Sequence, residues 1–256
     1  MSRKLLVAVN GITTLAVIIV NILANALPLN DLNTGEISDR FDVFFVPAGY
    51  VFSIWGLIYL GLIAFSIYQA LPQQRTNPHV RRIGLFYALS GIANIAWIFL
   101  WHYEQFPLTL PAMLVLLLSL IVIFLKLWRG RLELTTGDRW AILVPFSIYL
   151  GWVSVATVAN VTQLLEYLNW GGWGISPQVW AFIMLIVAAG IAGLMALRHA
   201  SVSYLAVFVW AYVGIAVEHW GTPLVAITAL LLTALIAVGL VLSIPRHRRL
   251  WDGTSA

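Results

Sequence analysis

The chain of 256 residues is 61% apolar and only 9% charged, with a mean hydropathy of +0.93. A soluble domain carries about 25% charged residues. Too few are present here to clothe a water-facing surface, which excludes a soluble enzyme, a nucleic-acid module and a disordered chain. The net charge is +4 and cysteine is absent, so disulfides, thiolate catalysis and Cys-ligated metals are excluded as well.

The apolar runs are continuous rather than alternating, which argues against a membrane β-barrel. The class that remains is all-α: a polytopic membrane helix bundle. A spanning helix needs about 20 mostly apolar residues. Eight segments qualify, near 5–27, 47–70, 83–102, 107–127, 140–165, 178–197, 202–218 and 222–244. Pro72, Pro78, Pro107, Pro177 and Pro223 fall at or beside the predicted ends, where a missing N–H does little harm. The first segment opens with Arg3 and Lys4 as a signal peptide would. Its long apolar run, with no clear small-x-small cleavage site after it, reads as a retained helix.

Loop charge gives an orientation. Thirteen of the fourteen basic residues lie in the N-terminus, the even-numbered connections and the C-terminus, and only Arg40 is opposite. The positive-inside rule then puts both termini in the cytoplasm, and the pattern suits a bacterial inner membrane. Eight is the even number of spans this requires.

No Lys, Arg, Asp or Glu falls deep inside a predicted span. Glu218, beside His219 and Trp220 at a span end, is the nearest and reads as interfacial. In the first span Asn10, Thr14, Asn21 and Asn25 lie within an arc of about 60°, so this stripe faces other helices or a cavity rather than lipid. Phe52, Trp55, Tyr59 and Ser66 share a face of the second span. Asn94, Trp97 and Trp101 share one on the third. Tyr149, Trp152, Ala156, Asn160 and Gln163 share one on the fifth. Such mixed faces suit a flat apolar ligand with a few polar atoms, although each aromatic taken singly also serves plain packing.

Other features read as structural. Trp140, Trp173, Trp180 and Trp220 lie at span ends, as interfacial anchors do. Ala188, Ala192 and Ala196 form a small-residue stripe for bundle packing or for an oligomer contact such as a homodimer. Asp31, Glu36, Asp39 and Asp42 read as a solvated acidic loop, and Asp138 and Arg139 as solvated loop charges. The five histidines are scattered, so no metal site is expected. No phosphate-cradling loop, dinucleotide fingerprint or nucleophile elbow is present. No catalytic residue and no cofactor are assigned, and the chain is not read as an enzyme.

Three motifs carry a resemblance. The run from Val46 through Pro47, Ala48, Gly49, Tyr50, Phe52 and Trp55 to Tyr59 resembles the start of the second helix in the tryptophan-rich sensory protein family. This is the TspO/MBR family, also called the translocator-protein or peripheral benzodiazepine receptor family. Asn94 to Trp97 is similar to that family's N-x-x-W, and Trp152 to Asn160 to its W-V-[ST]-F-A-x-x-L-N. The resemblance covers about residues 5–168. It implies a five-helix bundle around a pocket for porphyrins, sterols or synthetic aromatic ligands, with residues 28–46 as a lid. By motif it adds Pro47 and Tyr50 to the ligand-binding set and gives Trp55 and Trp152 the positions next to a bound porphyrin. The chain departs from the pattern at Phe45, where the family has a loop tryptophan. Ala48 stands for a second proline and Tyr50 for a tryptophan, and Pro145 lies seven residues before Trp152.

The resulting expectation is a TspO-like five-helix transmembrane bundle over residues 1–168 and a further three-helix transmembrane segment with a basic cytoplasmic tail over 169–256. Its function is expected to be sensory or binding, with a hydrophobic small molecule such as a tetrapyrrole as partner in a lipid bilayer. A transporter of a hydrophobic or small solute is the alternative. Nucleic acid is not expected as a partner.

Overall fold

The computed structural model describes residues 2–27, 29–131 and 134–252. The side chains of residues 248–252, Arg248 and Arg249 of the basic tail among them, lie outside that description. All regular structure among the described residues is helical. Eight long helices are labelled α1 Arg3–Ala26, α2 Ile54–Ala70, α3 Leu85–His102, α4 Phe106–Arg129, α5 Val144–Tyr167, α6 Pro177–His199, α7 Val202–Glu218 and α8 Pro223–Asp252.

The eight helices fall where the apolar runs predict them. Seven are long and apolar enough to cross a bilayer, α2 when counted with the 3-10 turn before it as Gly49–Ala70; the eighth, α7, has 17 residues and falls short of that length. It spans about 26 Å. A hydrocarbon interior leaves no water to satisfy backbone amides, so such segments must be helical. The helix starts have local causes. The Ser2 hydroxyl accepts the Leu5 amide at 3.3 Å. Asn77 caps the short helix Pro78–Ile83 through the His79 amide at 2.8 Å. Ser176 caps α6, whose first residue is Pro177. A π-helical turn, Arg139–Leu143, leads into α5.

The described chain forms two compact units. One comprises residues 1–37 and 55–150, the other residues 38–54 and 151–256.

In the first unit the polar stripe of α1 is turned inward. Asn10 donates to the Gln69 carboxamide at 3.0 Å. The Thr14 hydroxyl lies 2.5 Å from both Ser66 and Tyr87 hydroxyls. Asn21 donates to Asn94 at 2.7 Å, and Asn25 accepts the Thr34 amide at 3.3 Å. The stripe is helix-to-helix and helix-to-loop bonding. Phe65, Tyr87 and Phe146 make a triangle of edge-on rings with centroids 5.0, 5.1 and 5.6 Å apart. Gly91 permits the close approach of α1 and α3: a Cβ there would overlap the Thr13 methyl.

Asp138 corrects one expectation. It is not a solvated loop charge but is buried. Its carboxylate accepts the Thr135 amide at 2.9 Å and hydroxyl at 2.7 Å, the Tyr68 hydroxyl at 3.2 Å and the Asn77 amide. With the Asp138 amide donating back to Thr135, this is a capping box. A buried carboxylate is tolerated because it is fully hydrogen-bonded.

In the second unit Ala188, Ala192 and Ala196 are buried on α6, and Ala196 faces Gly239 of α8. The alanine stripe is therefore bundle packing within the chain. The Tyr212 hydroxyl donates to the Leu185 carbonyl at 2.7 Å, tying α7 to α6. Segment 38–54 is fastened to the same unit. The Ala48 amide donates to the Gly214 carbonyl at 3.2 Å, and the Trp210 indole to the Val51 carbonyl at 3.1 Å.

Candidate functional site

Four expected site residues come together in the first unit. Trp55, half-buried on α2, stacks on Tyr59 one turn later, with centroids 5.8 Å apart and planes 23° from parallel. Its other neighbour is Tyr149 of α5, met edge-on at 5.9 Å. Asn94 of α3 is buried beside Tyr149. Its Oδ1 takes the Asn21 amide, and its carboxamide also engages the Tyr149 hydroxyl.

Trp97 and Trp101 do different work. They stack at 5.2 Å, and Trp101 meets Phe106 edge-on at 5.3 Å. The Trp101 indole donates to the Thr34 carbonyl at 3.2 Å. Next to it, His102 hydrogen-bonds to the Leu29 carbonyl and the Thr34 hydroxyl, each at 3.1 Å. Asn30 donates to the His102 carbonyl at 3.1 Å. The C-terminal end of α3 is a post to which residues 29–34 are tied.

The remaining site residues lie in the second unit. Pro47 is buried, and Tyr50 is exposed with its ring edge-on to Trp210 at 5.4 Å. Phe52 meets the buried Trp152 edge-on at 5.6 Å. Ala156 is half-buried and Asn160 buried one turn further along α5. On the same face Gln163 donates to the Ser38 hydroxyl at 2.8 Å. Trp210 and Gly214 were missed as partners of the Pro47–Phe52 segment. Their four-residue spacing on one face of α7 was the available signal.

This unit also holds a half-open cavity of about 350 Å³. Phe44, Phe45, Trp170 and Trp180 contribute to its wall, and Asp42 and Glu166 also line it. None of the expected site residues does. Trp180, expected as an interfacial anchor, is half-buried; its indole donates to the Gly172 carbonyl at 2.9 Å. Trp140, Trp173 and Trp220 are exposed, as anchors at a membrane surface would be.

Behind Phe44 lies His219, with ring centroids 5.3 Å apart. Its Nε2 is 3.1 Å from the Val46 carbonyl. Burial lowers the imidazole below its ordinary value, against the opposing pull of the Val46 carbonyl, Glu218 and Asp42.

Seven apolar helices of spanning length, inward-facing polar stripes and stacked aromatic faces define a multi-pass integral membrane protein. The chain belongs to the TSPO-like protein family, whose model matches residues 7–242. That match runs past residue 168, where the motif resemblance ended, and takes in α6, α7 and α8 as far as residue 242. No curated protein and no solved structure matches the chain.

Proposed function

We propose that this protein is a membrane sensory or binding protein that holds a flat hydrophobic ligand, porphyrin- or sterol-like, in an aromatic intramembrane pocket. It carries out no catalytic step of its own. The observation that carries this reading is the grouping of Trp55, Tyr59, Tyr149 and Asn94 from three helices of one unit. Stacked rings offer a face to a flat ligand, and the Asn94 carboxamide beside the Tyr149 hydroxyl supplies one directional contact to a polar atom. Membership of the TSPO-like family supports the same reading.

The bias of basic residues supports cytoplasmic N- and C-termini and a bacterial inner membrane as the site of residence. A homodimer, if formed, would use a surface other than the alanine stripe, which is covered within the chain.

The test is a titration of the detergent-purified protein with protoporphyrin and with a sterol, followed by tryptophan quenching, beside a flux assay in liposomes. Saturable binding without net flux supports the reading. Net flux would favour a transporter, and saturation by neither compound would remove both ligand classes.

A further inference from the structure

We propose that the cavity of the second unit is a separate site for a small amphiphilic organic cation: an ammonium group on an aromatic or short apolar body. The inference does not rest on the porphyrin or sterol reading, because none of the residues invoked for that pocket lines this cavity.

The cavity is graded from apolar to anionic. Val161 of α5 and Ala181 and Met184 of α6 supply apolar lining. Glu166 lies in the last turn of α5, and both Glu166 and Asp42 are exposed. Val161 and Glu166 are five residues apart on one helix, so the change from apolar lining to carboxylate takes about 7 Å. Among the described residues that line the cavity none is basic. The carboxyl end of α5 presents the negative end of one helix dipole and the amino end of α6, at Pro177, the positive end of another, so the dipoles offset and the carboxylates set the sign. An anionic ligand such as a porphyrin dicarboxylate would meet like charge here. A cation would meet two carboxylates.

The aromatic wall favours the same occupant. Trp170 packs on Trp180 with centroids 5.2 Å apart, and Trp173 closes the cluster at 5.2 and 5.8 Å. The bond from Trp180 to the Gly172 carbonyl fixes that indole. A tryptophan face attracts a cation through its quadrupole, and more strongly where water is thinned out. A volume of about 350 Å³ sits at the small end of ligand pockets. It suits a benzylammonium-sized molecule lying with its charge among the carboxylates and its body against Ala181 and Met184.

The experiment uses the full chain in a non-ionic detergent and isothermal titration calorimetry. Benzyltrimethylammonium is the probe, and benzylsulfonate, of similar shape and opposite charge, is the control. Saturable binding of the ammonium and none of the sulfonate is expected. The double substitution Asp42→Asn, Glu166→Gln should weaken the ammonium by at least about tenfold. It changes only exposed side chains, so the melting temperature should stay as in the wild type. Ala181→Phe should abolish binding by filling the cavity. Failure of the ammonium to saturate, equal binding of the sulfonate, or wild-type affinity in the folded double variant or in folded Ala181→Phe would each overturn the proposal.

Discussion

Asn21 on α1 donates its Nδ2 to Oδ1 of Asn94 on α3 at 2.7 Å, with both side chains buried. This bond joins the polar stripe of the first helix to the aromatic group around Trp55. Asn21→Ala leaves the buried Oδ1 of Asn94 without its donor. It should destabilise the fold by about 1–2 kcal/mol. Thermal unfolding in detergent checks this, and the double variant Asn21→Ala, Asn94→Ala should lose less than the sum of the two single changes.

Gly91 lets α3 pack closely against α1. Gly91→Val should cost about 1–3 kcal/mol by overpacking against Thr13. The paired change Gly91→Ala, Thr13→Ser, which removes the overlapping methyl, should recover much of the loss in a melting experiment.

The Asp138 carboxylate gathers bonds from Thr135, Tyr68 and Asn77. Asp138→Ala removes the acceptor that the Asn77 amide, also bonded to Gln74, shares with the Thr135 N–H. It should lower stability by about 1–2 kcal/mol and expose the connection before α5 to limited proteolysis. Unchanged melting and unchanged proteolysis would contradict the role given to this carboxylate.

His219 sets a pH dependence. Its imidazole is held below the ordinary value by burial, so the folded state prefers the neutral ring. The associated stability is complete above the unfolded value of about 6.5. It is lost progressively as pH falls below that and through the lowered folded value. The melting temperature should therefore drop between pH 7.5 and pH 5. His219→Gln, which keeps a donor for the Val46 carbonyl, should flatten that drop.

The sequence made the helices legible because a hydrocarbon interior leaves one solution to a long apolar run, and the prolines mark the ends. It also showed that Asn10, Thr14, Asn21 and Asn25 do not face lipid. It could not name Gln69, Ser66 and Asn94 as their partners, since those pairings depend on how α1 is rotated against α2 and α3. Asp138 was misread because a carboxylate between basic loop residues looks solvated, although the spacing Thr135-x-x-Asp138 carried the capping-box signal. Trp55, Tyr59, Asn94 and Tyr149 were legible as separate faces, and packing supplied their grouping. The cavity around Trp170 and Trp180 was not legible. It joins residues 42–45 to residues 161–184, and no local pattern links segments so far apart in the chain. Read singly, Trp180 looks like an interfacial anchor.

The central claim is that the aromatic group around Trp55 receives a flat ligand. The most direct measurement is protoporphyrin affinity by tryptophan quenching in the wild type, Trp55→Ala and Trp152→Phe, each with its melting temperature. The account predicts saturable binding in the wild type. In folded Trp55→Ala it predicts a loss of about 1 kcal/mol, roughly fivefold in affinity, as a stacked ring is removed. Trp152→Phe keeps a ring against Phe52 and should change affinity less. Wild-type affinity in a folded Trp55→Ala protein would contradict the claim and assign Trp55 to packing alone.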